Sequence, residues 1–432
     1  MTYVEAIAYL EQCASFGIKP GLERIERLLQ ALGNPEKAYK VVHVTGTNGK
    51  GSVTSFIASV LTCSGHKVGR YTSPHLVSYT ERFCVNGEAI SEMQFADLVA
   101  RLEPVVARLV AEGMESPTQF EILTALGFLY FKEVGVDYAV IEVGLGGLLD
   151  STNVVNPSVS VITNVAIDHQ DYCGRTIPEI ARHKAGIIKS RRPVVTTATG
   201  VALEIIKEKA ALESAPLYAV DTERVIQSVE PTTEGQIVRI RDFDNHLETY
   251  ETALRGAHQS RNLACALGAL WVLAKEDSSI TKETILKGIK MTRWPGRFEV
   301  VQTLDRLFIL DGAHNTDGAK AFEETYETWY HNRPKALVMA ILKDKDVQAM
   351  IGHIVKPQDR VITVPAPTPR SSEPEELAQQ MPVKSWAAES VAAGLEKAMK
   401  ETQPNDIIVV AGSLYILGEV KEWLSATLSK VQ

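Results

Sequence analysis

Cysteine is scarce. Five residues (Cys13, Cys63, Cys84, Cys173, Cys265) are scattered through 432, with no CxxC pair and no histidine at zinc-site spacing. A disulfide scaffold and a zinc module are thereby excluded, and the thiols read as reduced ones in a cytoplasmic protein. No run of about 18 apolar residues occurs, so no membrane-spanning helix is expected. Glu5 and Glu11 interrupt the opening residues, which excludes the apolar stretch of a signal peptide. Positive charge is not in excess either: 45 Lys plus Arg face 53 Asp plus Glu, a net charge of −8. Neither nucleic acid nor an anionic membrane is an expected partner, and any anionic ligand must be held locally. At 45% hydrophobic and 23% charged residues the chain is not disordered, and its length calls for two domains.

What is present alternates. Helical patterns at about 3–15 and 21–32 precede a β-branched run, Val41 to Val44, and a helix then starts near Gly51. Apolar runs follow at Tyr138 to Val143, Val159 to Val165 and Pro193 to Thr197, separated by helical stretches such as Thr118 to Glu133. This pattern predicts an α/β fold with a doubly wound, mostly parallel sheet. Between about 222 and 255 polar and apolar residues alternate, as in an antiparallel hairpin, read as an insertion or an edge element. Trp294-Pro295-Gly296-Arg297 breaks regular structure and marks a linker at 294–297 between domains at 1–293 and 298–432. Beyond it, runs at Leu307 to Leu310, Ala336 to Ile341, Val361 to Val364 and Ile407 to Val410 predict a second, smaller α/β unit.

The strongest local signal is Gly46-Thr47-Asn48-Gly49-Lys50-Gly51-Ser52 between a strand and a helix. Its glycines let successive N–H groups curl round an anion, the helix N-terminus adds partial positive charge, and Lys50 adds a point charge. The spacing departs from the usual P-loop: two residues separate Gly46 from Gly49, and Gly51 separates Lys50 from Ser52. The plainer reading is a glycine-rich turn with a solvated lysine. A nucleotide at this loop needs magnesium, and three oxygen or nitrogen donors follow strand ends: Ser73, Glu142 and His169. Glu142 stands in an otherwise apolar strand, where an unpaired carboxylate is costly, so a cation or a hydrogen-bonded partner must compensate it.

Together these residues resemble the folylpolyglutamate synthase family within the Mur ligase group. HVTGTNGKGS (43–52), YTSPHL (71–76), EVGLGG with LDSTNVV (142–155), DHQ (168–170), ARHKAGIIK (181–189), HQSRN (258–262), WPGR (294–297), LDGAHN (310–315) and AGSLY (411–415) stand in that family's order. The resemblance implies a P-loop-type ATPase domain, a Rossmann-like C-terminal domain and a site between them. It implies ATP on Gly46 to Ser52, with Asn262, Arg297 and Asp311 as further nucleotide contacts, and two magnesium ions, with Ser73, Glu142 and His169 as metal ligands. It further implies that Lys184 is carbamylated and ligates a second magnesium ion; without the resemblance Lys184 reads as an ordinary exposed helix lysine. His314 and Ser413 would face the incoming amino acid, while Phe120, Glu121, Asp150 and Ser151 would line the pterin-bearing substrate's pocket.

The implied reaction is ATP-dependent addition of L-glutamate to the γ-carboxyl of a reduced folate through an acyl phosphate, with Lys50, Lys184, Asp311 and His314 as catalytic residues. A monomer is implied. In one place the chain departs from the family: Leu148 follows Gly146-Gly147 where many members have Arg. Whether dihydropteroate is also joined to glutamate is left open by that change, and an ATPase switch without ligation is the alternative of a different class.

Overall fold

Both faces of the strand runs find apolar partners, which is why continuous Val/Ile segments become the middle of a sheet. The computed structural model describes residues 1–14, 17, 19–168, 170–303 and 306–429, the side chains of 428 and 429 excepted. The first domain contributes β1 (Lys40–Thr45), β2 (Val68–Tyr71), β3 (Phe83–Val85), β4 (Glu88–Ala89), β5 (Tyr138–Glu142), β6 (Val159–Ile162), β7 (Val194–Thr196) and β8 (Leu217–Ala219). Their order across the sheet is β4-β3-β2-β5-β1-β6-β7-β8. The six strands from β2 to β8 in that order are parallel, and β3 and β4 are added antiparallel. Alternate residues sort to the two faces: Val42 and Val44 pack with Phe56 and Leu263, whereas Val41, Ala139 and Ile141 pack with Ile25, Phe95 and Leu123.

Helix ends carry their own signals. Thr118 and Glu121 form a capping box at the start of Gln119–Val134, and Gly135, at φ +66°, ends it. The chain leaves β1 towards β2, returns through β5, and crosses to β6, so the carboxyl end of β1 is the switch point where open α/β sheets leave a crevice.

The segment expected as an insertion or edge element is a separate antiparallel sheet, ordered β11-β10-β9, of β9 (Ile226–Pro231), β10 (Gln236–Arg241) and β11 (Leu247–Thr252). Val238, Ile240 and Tyr250 bury one of its faces in the same core as the helix Ala257–Ala274. Its alternation therefore reflects a sheet with one wet face, not the margin of the large one.

The second domain holds β12 (Glu299–Gln302), β13 (Leu307–Leu310), β14 (Lys335–Met339), β15 (Arg360–Thr363), β16 (Ser385–Ala387) and β17 (Ile407–Ala411), in the order β12-β13-β17-β14-β15-β16. All are parallel except β12. Two apolar layers cover its faces, one through Ile309, Leu337 and Val409, the other through Phe308, Val338 and Val410. Among the described residues no helix is long and apolar enough to cross a membrane.

Candidate functional site

The glycine loop leaves β1 at the switch point. Thr45 Oγ1 donates to the Gly146 carbonyl at 2.5 Å, Asn48 N–H donates to Asn164 Oδ1 at 2.8 Å, and Thr163 Oγ1 donates to the Asn48 carbonyl at 2.7 Å. Two glycines are required sterically. Gly46 has φ +154°, and a methyl there would come 1.8 Å from Thr163 Oγ1; Gly49 has φ +85°, and a methyl would come 2.2 Å from Asn262 Oδ1. The helix Lys50–Cys63 starts at Gly49 with no capping side chain, so its first N–H groups keep their capacity for an anion. Lys50 Nζ arches over the loop, donating to the carbonyls of Gly46 and Thr47 at 3.0 Å each. Ser52, in the first turn, is buried. Asn262 thus reaches the loop from a helix some two hundred residues on, held by Gln259 at 3.0 Å.

Glu142, at the end of β5, is buried, and its Oε2 accepts the Ser73 N–H at 3.2 Å. Burial raises its pKa, partly offset by Lys50 and by the Ser73 N–H. Two of the three expected metal donors are therefore adjacent, while His169 lies outside the described residues. Lys184 is not the exposed helix lysine that spacing alone suggested: it is 4% exposed. The Gly146-Gly147 turn packs on its helix, where a methyl on Gly147 would come 3.0 Å from the Lys184 carbonyl oxygen. Among the described residues no carboxylate pairs with its amine. Burial, reinforced by the neighbouring charge of Lys50, brings its pKa down to about 7.

The second domain closes the site from above. Trp294 lies against Gly51, where a methyl would come 2.5 Å from its ring, and under Arg70, whose guanidinium is 5.0 Å from the ring centroid. Asp311 Oδ2 accepts the Phe298 N–H and Oδ1 the Ala313 N–H, both at 2.8 Å, so it ties the segment after the linker to the end of β13. Burial raises its pKa and Arg297 opposes the rise. Burial lowers the pKa of Arg297, with Asp311 and Glu142 opposing. His314 Nδ1 donates to the Gly312 carbonyl at 2.8 Å, which leaves Nε2 as an acceptor. Burial takes its pKa to about 4, so the ring is neutral.

Two residues that sequence reasoning missed join the lobes. Asn315 Nδ2 donates to Asn48 Oδ1 at 3.2 Å, and Lys345 Nζ pairs with Asp168 Oδ1 at 3.4 Å. Only the DGAHN block hinted at Asn315; nothing local distinguishes Lys345.

On the far side of the turn, Phe120 packs on Gly144, where a methyl would come 2.3 Å from its ring, and beside Tyr71 at 6.2 Å between centroids. Several expected ligand residues are bonded to the protein itself. Glu121 Oε2 accepts from Thr118 N–H at 2.7 Å and pairs with Arg24 at 3.1 Å. Asp150 accepts from Leu145 N–H and Thr152 N–H at 2.8 and 3.0 Å, and from Thr152 Oγ1 at 2.5 Å. Ser151 Oγ meets Thr124 Oγ1 at 2.8 Å, and Ser413 Oγ caps the Leu414–Ile416 turn through the Tyr415 N–H at 3.2 Å. Leu148, on the turn after Gly147, is 46% exposed.

Comparison with known proteins follows the same outline. Residues 44–270 match the Mur ligase middle domain and residues 296–414 the Mur ligase glutamate ligase domain. The chain is 37% identical to the dihydrofolate synthase/folylpolyglutamate synthase of Bacillus subtilis, over 98% of this chain and 99% of that protein. It is also 37% identical to the folylpolyglutamate synthase of Lacticaseibacillus casei, with the same coverage of both. The solved structure of E. coli FolC in complex with DHPP and ADP superposes with a TM-score of 0.86 at 31% identity, covering 99% of this chain and 98% of that one.

Proposed function

The chain belongs to the folylpolyglutamate synthase family of Mur ligases, and from that premise we propose that it joins L-glutamate to the γ-carboxyl of a reduced folate, at the expense of ATP. The observation that carries the reading is the meeting of two lobes at the glycine loop, through Asn315 on Asn48, and in the segment packed beside that loop, through Lys345 on Asp168. Residues 1–293 then form the ATP-binding unit, 298–432 the closing unit, and 294–297 the hinge of a protein that works as a monomer.

A carboxylate is a poor electrophile, and phosphorylation by ATP to an acyl phosphate turns it into a good one. The N–H groups of Gly46 to Ser52 and the ammonium of Lys50 stabilise charge on the phosphoryl oxygens without reorganising. Asn262 and Arg297 hold the remainder of the nucleotide. Ser73, Glu142 and His169 are suited to magnesium by donor type, and the buried Glu142 carboxylate supports a cation there. Bound magnesium supplies Lewis-acid charge to the transferring group.

Lys184 is suited to carbamylation because it is buried and lacks a carboxylate partner among the described residues. Its neutral amine would add to carbon dioxide with loss of a proton, replacing a cation by an anion that offers two oxygens to a second magnesium. Neutral His314 would accept a hydrogen bond from the incoming amine at Nε2, and Asp311 would hold the closing segment in place. Gathering acyl phosphate and amine in one closed cleft contributes up to about 7–11 kcal/mol, and exclusion of water protects the acyl phosphate.

The test is ADP release measured with tetrahydrofolate and glutamate, each alone and together, with the product's mass read for one added glutamyl residue. ADP release that needs neither compound would favour an ATPase switch and refute the ligase. A dihydropteroate arm decides whether the Leu148 turn also admits the substrate without a glutamyl tail.

A further inference from the structure

Arg82 has no role so far. It is the last residue of the turn Tyr79–Arg82, immediately before β3, and its carbonyl accepts the Thr72 N–H at 3.2 Å, which sets it beside Ser73. Its Nε donates to His75 Nδ1 at 2.9 Å, and its guanidinium lies 5.5 Å from the centroid of Tyr79. Because an arginine Nε always donates, His75 Nδ1 must be the bare nitrogen, so the imidazole is a neutral acceptor with its proton on Nε2. The ring is itself packed on Tyr79, at 4.3 Å between centroids. One edge of the guanidinium is therefore fixed.

The other edge is not used. Among the described residues neither terminal nitrogen meets a protein acceptor, and no carboxylate pairs with the side chain. The adjacent carboxylate, Glu81, is spent on the N–H groups of Leu76, Val77 and Ser78 at 2.8–3.0 Å. The location is the seam between the lobes: a methyl on Gly418 would come 2.1 Å from the Leu76 carbonyl oxygen. Burial lowers the Arg82 pKa, while Tyr71, Tyr79, Tyr415 of the second domain and Glu142 oppose that shift. A partly buried, preoriented guanidinium without an anion suits a planar bidentate acceptor.

We propose that Arg82 is a substrate-binding residue whose outer guanidinium edge receives a carboxylate of the molecules being joined, and that His75 is its positioning residue. The inference rests on the ligase reading and deepens it. The carboxylate has two sources in that reaction, the incoming amino acid and the glutamyl tail already on the folate.

The experiment compares wild type with Arg82→Ala, Arg82→Lys, His75→Ala and His75→Asn, varying ATP, L-glutamate, tail-bearing tetrahydrofolate and tail-less dihydropteroate in turn. Loss of a charge-assisted hydrogen bond predicts that Arg82→Ala raises one KM by roughly tenfold to a hundredfold, with the KM for ATP within about twofold. A rise for L-glutamate assigns the incoming amino acid. A rise for tail-bearing folate, absent with dihydropteroate, assigns the tail. Arg82→Lys keeps the charge without the fork, so it gives a smaller rise in the same KM and stands in should the alanine variant not fold.

His75→Ala should move that KM at little cost in kcat, and His75→Asn, whose amide oxygen can replace Nδ1 as acceptor, should restore it. Unchanged KM values for both carboxylate substrates, or an equal rise for ATP, would overturn the assignment. A KM untouched by His75→Ala would overturn the positioning role. Should wild type fail to couple ADP release to glutamate addition, the ligase reading fails; calorimetric binding of L-glutamate and tetrahydrofolate to wild type and Arg82→Ala then still decides the carboxylate site, equal affinities for both refuting it.

Discussion

Replacing Lys184 by Met removes an amine while keeping an unbranched chain of similar reach. The buried amine titrates near 7 in the folded protein, against an ordinary 10.5. Between those values the unfolded chain binds more protons than the folded one, so wild-type stability rises with pH across that window, and the full cost of burying the charge is present below it. Three and a half decades of proton affinity correspond to a ceiling of about 5 kcal/mol. In bicarbonate-free buffer the variant should therefore gain on wild type as pH falls from about 10 to about 7 and hold a constant lead below. Urea midpoints measure that lead. Bicarbonate should narrow it, because a carbamylated lysine carries no ammonium proton, and the variant should show no ligation at any pH. A lead that does not change with pH would mean a solvated amine, and a variant that still ligates would remove Lys184 from the mechanism.

Three further outcomes follow from the geometry. Lys50→Ala should abolish glutamate-dependent ADP release with an unchanged circular dichroism spectrum; normal turnover would refute the loop's role. Gly49→Ala combines a left-handed φ with a contact on Asn262, and strain of about 1–3 kcal/mol at such a site should raise the KM for ATP. Adding Asn262→Ala should relieve the contact but not the backbone strain, which a double-mutant cycle resolves. Far from the cleft, Lys335 and Asp359 form an ion pair at 2.5 Å with side chains 2% and 0% exposed. Asp359→Asn strands the ammonium and should cost about 3–5 kcal/mol in urea unfolding, with kcat per folded molecule retained.

The parts legible in the sequence are those whose physics is local. A strand buried on both faces needs an unbroken apolar run, so β1, β5 and β6 announced themselves. The separate three-stranded sheet was visible as alternation, but where it packs depends on Val238, Ile240 and Tyr250 finding the helix Ala257–Ala274. Ligand and cap are indistinguishable by spacing: Asp150, Glu121, Asp311 and Ser413 each spend oxygen atoms on nearby N–H groups, a use that short polar side chains serve in any turn.

By itself the sequence determined the glycine turn, because Gly46 to Ser52 places three glycines and a helix start within one short segment. Tertiary structure alone decided that Lys184 is dry, that Arg82 has its inner edge pinned and its outer edge unused, and that Asn315 and Lys345 reach across to the first lobe. Burial and opposition of charge arise from surfaces brought together across hundreds of residues, and no spacing along the chain encodes the distance between them.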